Sequence, residues 1–471
     1  MSLRPLPAFF RRLPGGGAIA TNQAGAFHFF DGHAALESWL IGDYRSLADA
    51  ELETLLSKGL LVEQGDEQLM ATLLASRLAQ SIQRAMMPPS LFMVVPTLRC
   101  DHDCRYCQAS RVAASKPGFD LPLSSIERIV DIIDHVADGS IKIEFQGGEP
   151  LLAPQYIRAF VEYAEEKLSV RTPSFVICSA LGPLDEAFLC WAKHHEVEFS
   201  VSLDGPEPLH EANRPSRSHR SHKRTISGIR RIRSAMGTDR VAALATITRA
   251  TLAQPAALVD EYFLHDFTSI FIRPLSPLGF ASRPNSRLTY SADEYLQFYK
   301  SALERVVGLN GKRLFVEETA LIHLRRIFRL GEAIYCDLKS PAGYLLGALV
   351  FNYDGKIFGS DEARLLWQTT GAPELVLGTI EDSVDTLVRN PAAAKILQQS
   401  FIHCAPGCDE CAYQPYCGAD PLYHLATQGE PVGHKAHSFF CRVQTGLFDL
   451  LFERYHQNSQ YREVFDQWLA L

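Results

Sequence analysis

Short apolar runs alternate with helix-like stretches over residues 91–290. The apolar runs are 92–95, 141–145, 175–178, 199–203, 241–247 and 270–272. The helix-like stretches are 124–138, 154–168, 185–195, 222–236 and 255–264. Runs of this length, separated by helical periods, are typical of buried parallel strands joined by crossover helices. Six such units predict an α/β fold with a parallel sheet, either open or curled into a partial barrel.

The segments on either side have different patterns. Residues 1–90 predict a small α+β module, with a strand over 26–30, two short helices, and a longer helix over about 66–86. After residue 291 the alternation stops, and an apolar run at 345–351 leads into a hairpin turn at 352–355. A closing helix is predicted over about 438–455. The pattern therefore divides the chain into 1–90, 91–290 and 291–471.

Composition narrows the class of protein. The 471 residues allow about three domains, and the net charge of −8 argues against a globally basic nucleic-acid binder. No apolar run is long enough for a transmembrane helix, and the first residues lack the pattern of a secretory signal. We therefore expect a cytoplasmic protein, where structural disulfides are rare. In that compartment its 11 cysteines indicate metal ligation.

The first cysteine group directly follows the first predicted strand of the alternating region. Cys100, Cys104 and Cys107 have the spacing CxxxCxxC, with Tyr106 before the last cysteine. Three thiolates on one loop can hold three irons of a 4Fe–4S cube and leave the fourth iron open. A zinc loop is the alternative, but zinc usually takes paired CxxC ligands and four donors. The spacing favours an iron–sulfur cluster.

Two further motifs follow later strands. Gly147, Gly148 and Glu149 come after the second strand, where paired glycines allow close backbone approach and a carboxylate can accept from a ligand ammonium. A plain strand-to-helix turn would also explain them. Ser202 and Asp204 end the fourth strand, and Asp204 is expected only to cap its loop.

A second cysteine group lies near the C-terminus. Cys408, Cys411, Cys417 and Cys441 supply four thiolates, which can ligate either a 4Fe–4S cluster or zinc, and the spacing alone does not decide. Cys404 is left unplaced. The cysteines in apolar segments of the alternating region, which are expected in the core, are Cys178 and Cys190.

Together these motifs resemble the radical S-adenosylmethionine (SAM) superfamily, whose cluster loop follows the first strand of a partial (β/α)6 barrel. The resemblance implies that Cys100, Cys104 and Cys107 bind a catalytic 4Fe–4S cluster and that SAM chelates the open iron. Reductive cleavage of SAM would then give a 5′-deoxyadenosyl radical that abstracts a substrate hydrogen. The residues that it implies as SAM contacts are Tyr106, Gly147, Gly148, Glu149, Ser179, Ser202 and Arg214.

Two of these implied SAM contacts, Ser179 and Arg214, also have alternative roles. Ser179 stands where relatives often carry an asparagine–glycine pair, so a structural role is equally open to it. Arg214 begins a basic stretch over 214–233 that would contact the SAM carboxylate, guide an acidic substrate segment, or form a solvated face.

The C-terminal cysteines resemble the SPASM extension of radical SAM enzymes, which implies an auxiliary 4Fe–4S cluster on Cys408, Cys411, Cys417 and Cys441. A full extension holds a second, inner cluster. Ser360 and Pro421 occupy two of the positions where its cysteines stand, and only Cys336 aligns with the inner set. We therefore expect one auxiliary cluster.

One candidate base follows from the same resemblance. In sulfatase-maturing relatives, a carboxylate after the inner-cluster cysteine takes a substrate proton, which makes Asp361 a candidate base. The alternative for Asp361 is an exposed acidic loop.

Stretches at 21–30, 142–152, 202–215 and 411–434 resemble one subfamily, the radical maturase of the His-Xaa-Ser peptide system. This implies a ribosomally made precursor peptide as substrate, a second radical SAM maturase as partner, and an electron donor such as flavodoxin or ferredoxin. No nucleic-acid or membrane partner is expected. Residues 1–90 loosely resemble the winged domain that captures a leader peptide by strand addition, with a cap on the barrel as the alternative. The rival functions are a sulfatase-type formylglycine maturase, a small-molecule radical enzyme and a non-enzymatic iron–sulfur or zinc protein.

Overall fold

The computed structural model describes residues 2–44, 47–217, 220–283, 287–330, 332 and 335–471. Its first part is the small α+β module. The strands there are β1 (Leu3–Pro5), β2 (Phe9–Arg12), β3 (Ala18–Thr21), β4 (Phe27–Phe30) and β5 (Leu61–Glu63). The helices are α1 (His33–Ile41), α2 (Asp49–Ser57) and α3 (Glu67–Ala85). Strands β2, β3 and β4 form an antiparallel sheet and β1 pairs with β5, so the module holds more strands than its pattern predicted.

The alternating part follows. Its strands are β6 (Leu91–Thr97), β7 (Arg99–Cys100), β8 (Val112–Ala113), β9 (Lys142–Gly147), β10 (Ser174–Ser179), β11 (Glu198–Ser202), β12 (Val241–Thr246), β13 (Ser269–Arg273) and β14 (Val316–Glu317). Its helices are α4 (Ser125–Val136), α5 (Pro154–Lys167), α6 (Glu186–His194), α7 (Glu207–Asn213), α8 (Ser221–Met236), α9 (Pro255–Leu264), α10 (Ala292–Asn310) and α11 (Glu318–Phe328). All six predicted strands and all five predicted helices are present. Helix α7 was missed because it is too short for a helical period to stand out.

The C-terminal part contains a hairpin and a helical tail. Its strands are β15 (Ala348–Phe351), β16 (Lys356–Phe358) and β17 (Val376–Thr379). Its helices are α12 (Asp361–Thr370), α13 (Val384–Val388), α14 (Pro391–Gln399), α15 (Pro421–Gln428), α16 (Phe439–Gln457) and α17 (Ser459–Leu469). The predicted turn joins β15 to β16, and Gly355 there has φ of 79°. The predicted closing helix is α16.

One ten-stranded sheet runs through the centre of the molecule. Its order is β14–β13–β12–β11–β10–β9–β6–β15–β16–β17. Neighbours from β14 to β15 are parallel, whereas β15, β16 and β17 are antiparallel. Phe92 of β6 lies opposite Ile143 on one side and Leu349 on the other. The predicted parallel α/β sheet is confirmed, and the hairpin from beyond residue 290 extends it.

The N-terminal module packs against the C-terminal part. Arg11 pairs with Asp449 at 2.5 Å, and the Thr21 hydroxyl donates to the Ala412 carbonyl at 2.7 Å. The apolar cluster that spans this contact contains Leu13, Ile19, Ile327, Tyr413, Tyr416, Phe448 and Phe452. The module therefore lies against the segment that carries the second cysteine group. No helix in the described part of the chain is long and apolar enough to cross a membrane.

Candidate functional site

A cavity of about 830 Å³ runs along the inner face of the parallel sheet and reaches the carboxyl ends of its strands. This is the end at which parallel α/β folds place their functional loops. The predicted site residues that line it are Cys100, Cys104, Tyr106, Cys107, Gly147, Gly148, Glu149, Ser179, Ser202, Arg214 and Asp361. The fold therefore brings the first cysteine group, the predicted SAM contacts and the candidate base into one cavity.

The glycine pair holds the start of the cluster loop. The backbone N–H of Gly148 donates to the Thr97 carbonyl at 2.9 Å, and that of Glu149 donates to the Arg99 carbonyl at 2.8 Å. A Cβ atom on Gly148 would lie 2.3 Å from the Arg99 oxygen, which excludes any side chain there. Gly147 has φ of 123°, a conformation that favours glycine. The sequence predicted that the paired glycines allow a ligand to approach the backbone closely. In the structure, the backbone of the cluster loop makes this close approach.

Other segments fix the rest of the loop. The backbone N–H of Phe280 donates to the Cys107 carbonyl at 2.8 Å, and a Cβ on Gly279 would lie 2.4 Å from that oxygen. Asp103 and Arg105 donate through their backbone N–H groups to the carbonyls of residues 215 and 213, at 2.7 and 3.0 Å. The loop is thus held from three directions. Sequence reasoning missed Gly279, for which an apolar turn after β13 is the only signal.

Among the three loop thiols, Cys104 is buried, and Cys100 and Cys107 are partly buried. Burial raises the pKa of Cys104 to about 12, against the opposing effect of Arg214, and raises the pKa of Cys100 and Cys107 as well. A bound metal reverses this preference because it takes the thiolate as ligand. Three thiols on one fixed loop fit a 4Fe–4S cluster that keeps one iron free of protein ligands.

Glu149 is a buried carboxylate with neutral partners. Its Oε1 accepts from the Ser179 hydroxyl at 2.7 Å and from the Leu151 N–H at 3.1 Å, and its Oε2 accepts from the Ala180 N–H at 2.9 Å. Its exposed fraction is 1%, and burial raises its pKa. Across the described ranges, no lysine, arginine or histidine forms an ion pair with it. A ligand ammonium would therefore complete this site.

A second buried group of polar side chains lies beside the loop. The Arg214 Nη1 donates to the Tyr106 hydroxyl at 2.6 Å, and that hydroxyl donates to the Asp204 Oδ2 at 2.6 Å. The other Asp204 oxygen accepts from the Thr246 N–H at 3.3 Å. Burial raises the pKa of Asp204, although Arg214 opposes the shift. The expectation that Asp204 only caps a loop was wrong, because this carboxylate ties the cluster loop to β12.

A chain of hydrogen bonds extends this contact. The His210 Nε2 lies 3.0 Å from the Ser221 hydroxyl, which lies 2.9 Å from the His102 Nε2. The His102 Nδ1 lies 2.7 Å from Asp101, within the cluster loop. Burial, with the nearby Arg214, lowers the pKa of His210 to about 2, so its imidazole is neutral. Sequence reasoning missed the roles of Asp101, His102 and Ser221, since nothing in the local pattern joins them.

Carboxylates line the wall opposite the cluster loop. Asp361 accepts from the Arg364 Nε at 2.9 Å, and Arg364 is 1% exposed. Glu362 follows it and also lines the cavity, and burial with Asp337 and Asp361 nearby raises its pKa to about 8. Asp420 completes the wall, with its pKa raised by burial to about 7.

The two positions that depart from the full SPASM pattern both serve helices at this wall. The Ser360 hydroxyl accepts from the Ala363 N–H at 3.2 Å and caps α12. Pro421 is the first residue of α15, where its fixed φ and missing N–H are favourable. Both positions therefore have a structural use in this chain.

In the second cysteine group, Cys408, Cys411 and Cys417 lie on a separate loop, and Cys441 lies in the first turn of α16. Burial raises the pKa of Cys408 to about 11, and Cys411 and Cys441 add to the shift. The pKa of Cys417 is raised by burial and by the same neighbours. The four thiols are therefore electrostatic neighbours, and a four-thiolate metal site fits them.

The remaining cysteines are spread over the chain. Cys336 and Cys178 line the cavity, whereas Cys404 and Cys190 are exposed. The expectation that Cys178 and Cys190 pack in the core was wrong. Cys178 of β10 faces the cavity, and Cys190 of α6 faces solvent.

Comparisons with known proteins identify the class of the central part. Residues 94–255 match the family model of the radical SAM superfamily, which is just over a third of the chain. This match covers the cluster loop, the glycine pair and the Arg214 network. The chain therefore contains a radical SAM domain on an α/β fold with a central parallel sheet.

Individual relatives match this chain at low sequence identity. The chain is 24% identical over 243 residues to an uncharacterized protein of Methanothermobacter thermautotrophicus, a match that covers 49% of this chain and 89% of that protein. It is 27% identical over 229 residues to the uncharacterized protein sll1766 of Synechocystis, which covers 46% of this chain and 55% of that one.

Solved structures share the fold. Native anSMEcpe with bound AdoMet superposes with a TM-score of 0.68 at 16% identity, over 80% of this chain and all of that chain. SuiB of Streptococcus suis, bound to the precursor peptide SuiA, has a TM-score of 0.53 at 15% identity, over 90% of this chain and 97% of that chain. At these identities the likeness concerns the fold.

Proposed function

We propose that this protein is a radical SAM enzyme that modifies a ribosomally made peptide. The observation that carries the proposal is the shared cavity, which holds three loop thiols, a carboxylate wall and a buried Glu149 that has no ion-pair partner among the described residues. Its volume of about 830 Å³ is enough for SAM and part of a peptide. Two structures of the same fold contain a peptide, one of them the precursor peptide SuiA, and they support a peptide substrate over a small molecule.

The residues that would hold the cofactors follow from the donor sets. Cys100, Cys104 and Cys107 would bind the catalytic 4Fe–4S cluster, and Glu149 would accept from the ammonium of SAM. When bound, this pair supplies a 5′-deoxyadenosyl radical that abstracts hydrogen from the substrate. Cys408, Cys411, Cys417 and Cys441 would bind one auxiliary 4Fe–4S cluster.

The chain's own side chains then prepare the site. Ser179 orients the Glu149 carboxylate, and Tyr106 and Arg214 form the wall beside the loop. Gly147, Gly148 and Ser202 line the surface on which SAM would lie. Because these groups are held by buried hydrogen bonds, the site is organised before the ligand arrives.

A proton must leave the substrate if the modification is an oxidation, and the carboxylate wall supplies two candidate acceptors. Asp361 lies 2.9 Å from the Arg364 guanidinium, and this contact fixes the position of its carboxylate. Glu362 has its pKa raised to about 8, so its ionised form is a stronger base than an ordinary glutamate. Asp361 remains the base proposed from the family pattern, with Glu362 as its neighbour in the same role.

The finer assignment is the maturase of the His-Xaa-Ser peptide system, which rests on the residue pattern. In this proposal the precursor peptide carries His-Xaa-Ser repeats, and a second radical SAM maturase and a flavodoxin or ferredoxin are partners. Residues 1–90 would hold the leader of that peptide, and strand β2 or β4 offers the sheet edge for it.

The direct test is reconstitution without oxygen, followed by reductant and SAM, with 5′-deoxyadenosine as the readout. We expect formation by the wild type and by Cys190→Ala, whose thiol is exposed and does not line the cavity. Cys104→Ala is expected to form none. Zinc in place of iron, with no 5′-deoxyadenosine from the wild type, would favour the alternative function of a non-enzymatic metal protein.

A second assay tests the substrate. His-Xaa-Ser repeat peptides and a cysteine-containing sulfatase peptide are offered separately, and mass spectrometry follows the change in peptide mass. A mass loss confined to the repeat peptide supports the proposed system. Modification of the sulfatase peptide alone would identify a formylglycine maturase.

A further inference from the structure

A second cavity, of about 320 Å³, lies between the N-terminal module and the C-terminal part. It shares no lining residue with the larger cavity. Helix α3 contributes Arg77 and Arg84, α11 contributes Arg326, and the second cysteine loop contributes Gln414 and Cys417. The turn between β3 and β4, at 23–26, completes the wall. These four segments of the chain line most of this space.

The wall is positively charged and lacks a counter-charge. Arg77, Arg84 and Arg326 line it, and within the part of the chain that the structure describes no aspartate or glutamate does so. None of the three arginines forms an ion pair with a described carboxylate. The Arg326 guanidinium donates to the Pro415 and Tyr416 carbonyls at 2.9 and 3.3 Å. The wall therefore holds three guanidinium groups that have no carboxylate partner among the described residues, and an anionic ligand would supply the missing counter-charge.

Buried polar atoms on the same wall also lack partners. Gln414 is 2% exposed, and its Nε2 donates to the Cys408 carbonyl at 3.0 Å, but no described residue donates to its Oε1. Arg84 donates through Nη2 to the Leu330 carbonyl at 2.9 Å, while its buried Nε has no acceptor within the described ranges. Leaving such atoms unpaired costs free energy, so a bound group that supplies both a donor and an acceptor is favoured.

We propose that this cavity binds a peptide segment that carries an acidic side chain. The carboxylate would pair with Arg77 and Arg84, and a backbone N–H of the peptide would donate to the Gln414 Oε1. A free phosphate matches the charge, but it would fill only part of a cavity of about 320 Å³. The inference rests on the proposed function for the peptide's identity as the precursor, and it adds an anchoring site separate from the candidate active site.

The test is fluorescence anisotropy with the reconstituted protein, without reductant or SAM. One probe is a short labelled peptide of alternating leucine and glutamate, and its matched control has glutamine at every glutamate. We expect the acidic peptide to bind at least about tenfold more tightly than the control. Arg84→Gln and Arg77→Gln should each weaken the acidic peptide, by about tenfold and about threefold, because Arg77 lies more exposed.

The control variant is Arg230→Gln, an exposed arginine of α8 in the basic stretch 214–233. It should leave the acidic peptide's affinity unchanged, and circular dichroism melting should show that all variants are folded. Equal affinity for both peptides, or a loss in Arg230→Gln that matches Arg84→Gln, would overturn the proposal. Calorimetry with inorganic phosphate is the second arm: phosphate binding that Arg84→Gln abolishes, with no peptide binding, would assign the cavity to a free anion instead. Binding needs no radical chemistry, so a failure here leaves the 5′-deoxyadenosine result untouched, and the reverse also holds.

Discussion

Ser179 offers a sharp test of how the chain would bind SAM. Its hydroxyl donates to the Glu149 Oε1 at 2.7 Å, and it is one of three donors on that carboxylate. In Ser179→Ala the carboxylate loses this donor, and its pKa, already raised by burial, rises further. A lost hydrogen bond to a charged group of about 1.4 kcal/mol corresponds to about one pKa unit.

The consequence for SAM depends on pH. Protonation of Glu149 competes with binding of the ammonium, so the Kd rises as the pH falls below the pKa of Glu149. With that pKa raised by about one unit, Ser179→Ala should bind SAM about tenfold more weakly on the acid side. The ratio of the two Kd values should fall toward one as the pH rises, because both proteins then carry an ionised Glu149.

Equilibrium dialysis of labelled SAM against the reconstituted proteins, from acid to alkaline pH, measures this ratio. Ser174→Ala is the matched control, since it makes the same change at the other end of β10, where the side chain is partly exposed. Glu149→Gln should bind weakly at every pH. A Ser179→Ala effect that is the same at all pH values would refute the reasoning, because it would show a steric or folding defect instead of a shifted titration.

The other predictions concern the loop, the second cysteine group and the core. Gly148→Ala should cost about 3 kcal/mol in the free energy of unfolding and lower the iron bound at the first site, since its Cβ would meet the Arg99 carbonyl; normal iron content would contradict this. Cys411→Ala should lower the iron content from about eight to about four atoms per chain while 5′-deoxyadenosine still forms, and an unchanged iron content would exclude the second cluster. Glu317 is fully buried, and burial raises its pKa to about 7, so it destabilises the fold as it ionises. The wild type should therefore lose about 1.4 kcal/mol of stability between pH 6 and pH 8 that Glu317→Gln does not lose, as measured by denaturant unfolding; equal pH slopes would contradict the assignment.

The sequence predicted what depends on local pattern. The alternation of apolar runs and helical periods located the strands of the central sheet and the helices between them. Cys100 and Glu149 each follow a predicted strand directly, which placed both at the carboxyl ends of the strands. Those positions converge because the carboxyl ends of parallel strands meet at one edge.

Contacts between distant segments were not predictable in the same way. The pairing of β15 with β6 joins strands that no local signal connects. The link from Asp204 through Tyr106 to Arg214 depends on side-chain directions that only the folded chain defines. The sequence identified Gly148 as a site of close approach but assigned that approach to a ligand, whereas the structure shows a contact with the backbone of the cluster loop. The two cannot be told apart from sequence, because both require a residue without a side chain.

The junction of β15 with β6 also limits how this protein can be divided. Ala348 pairs with Leu91, so the hairpin covers the flank of the strand that leads into the cluster loop. A chain that ended at residue 290 would leave β6, with its apolar run, as an open edge, and such edges recruit strands from other molecules. The pairing also closes a very long loop, which slows folding and keeps that edge exposed until late in the process. The radical SAM domain and the C-terminal part should therefore behave as one folding unit, and the isolated domain should aggregate.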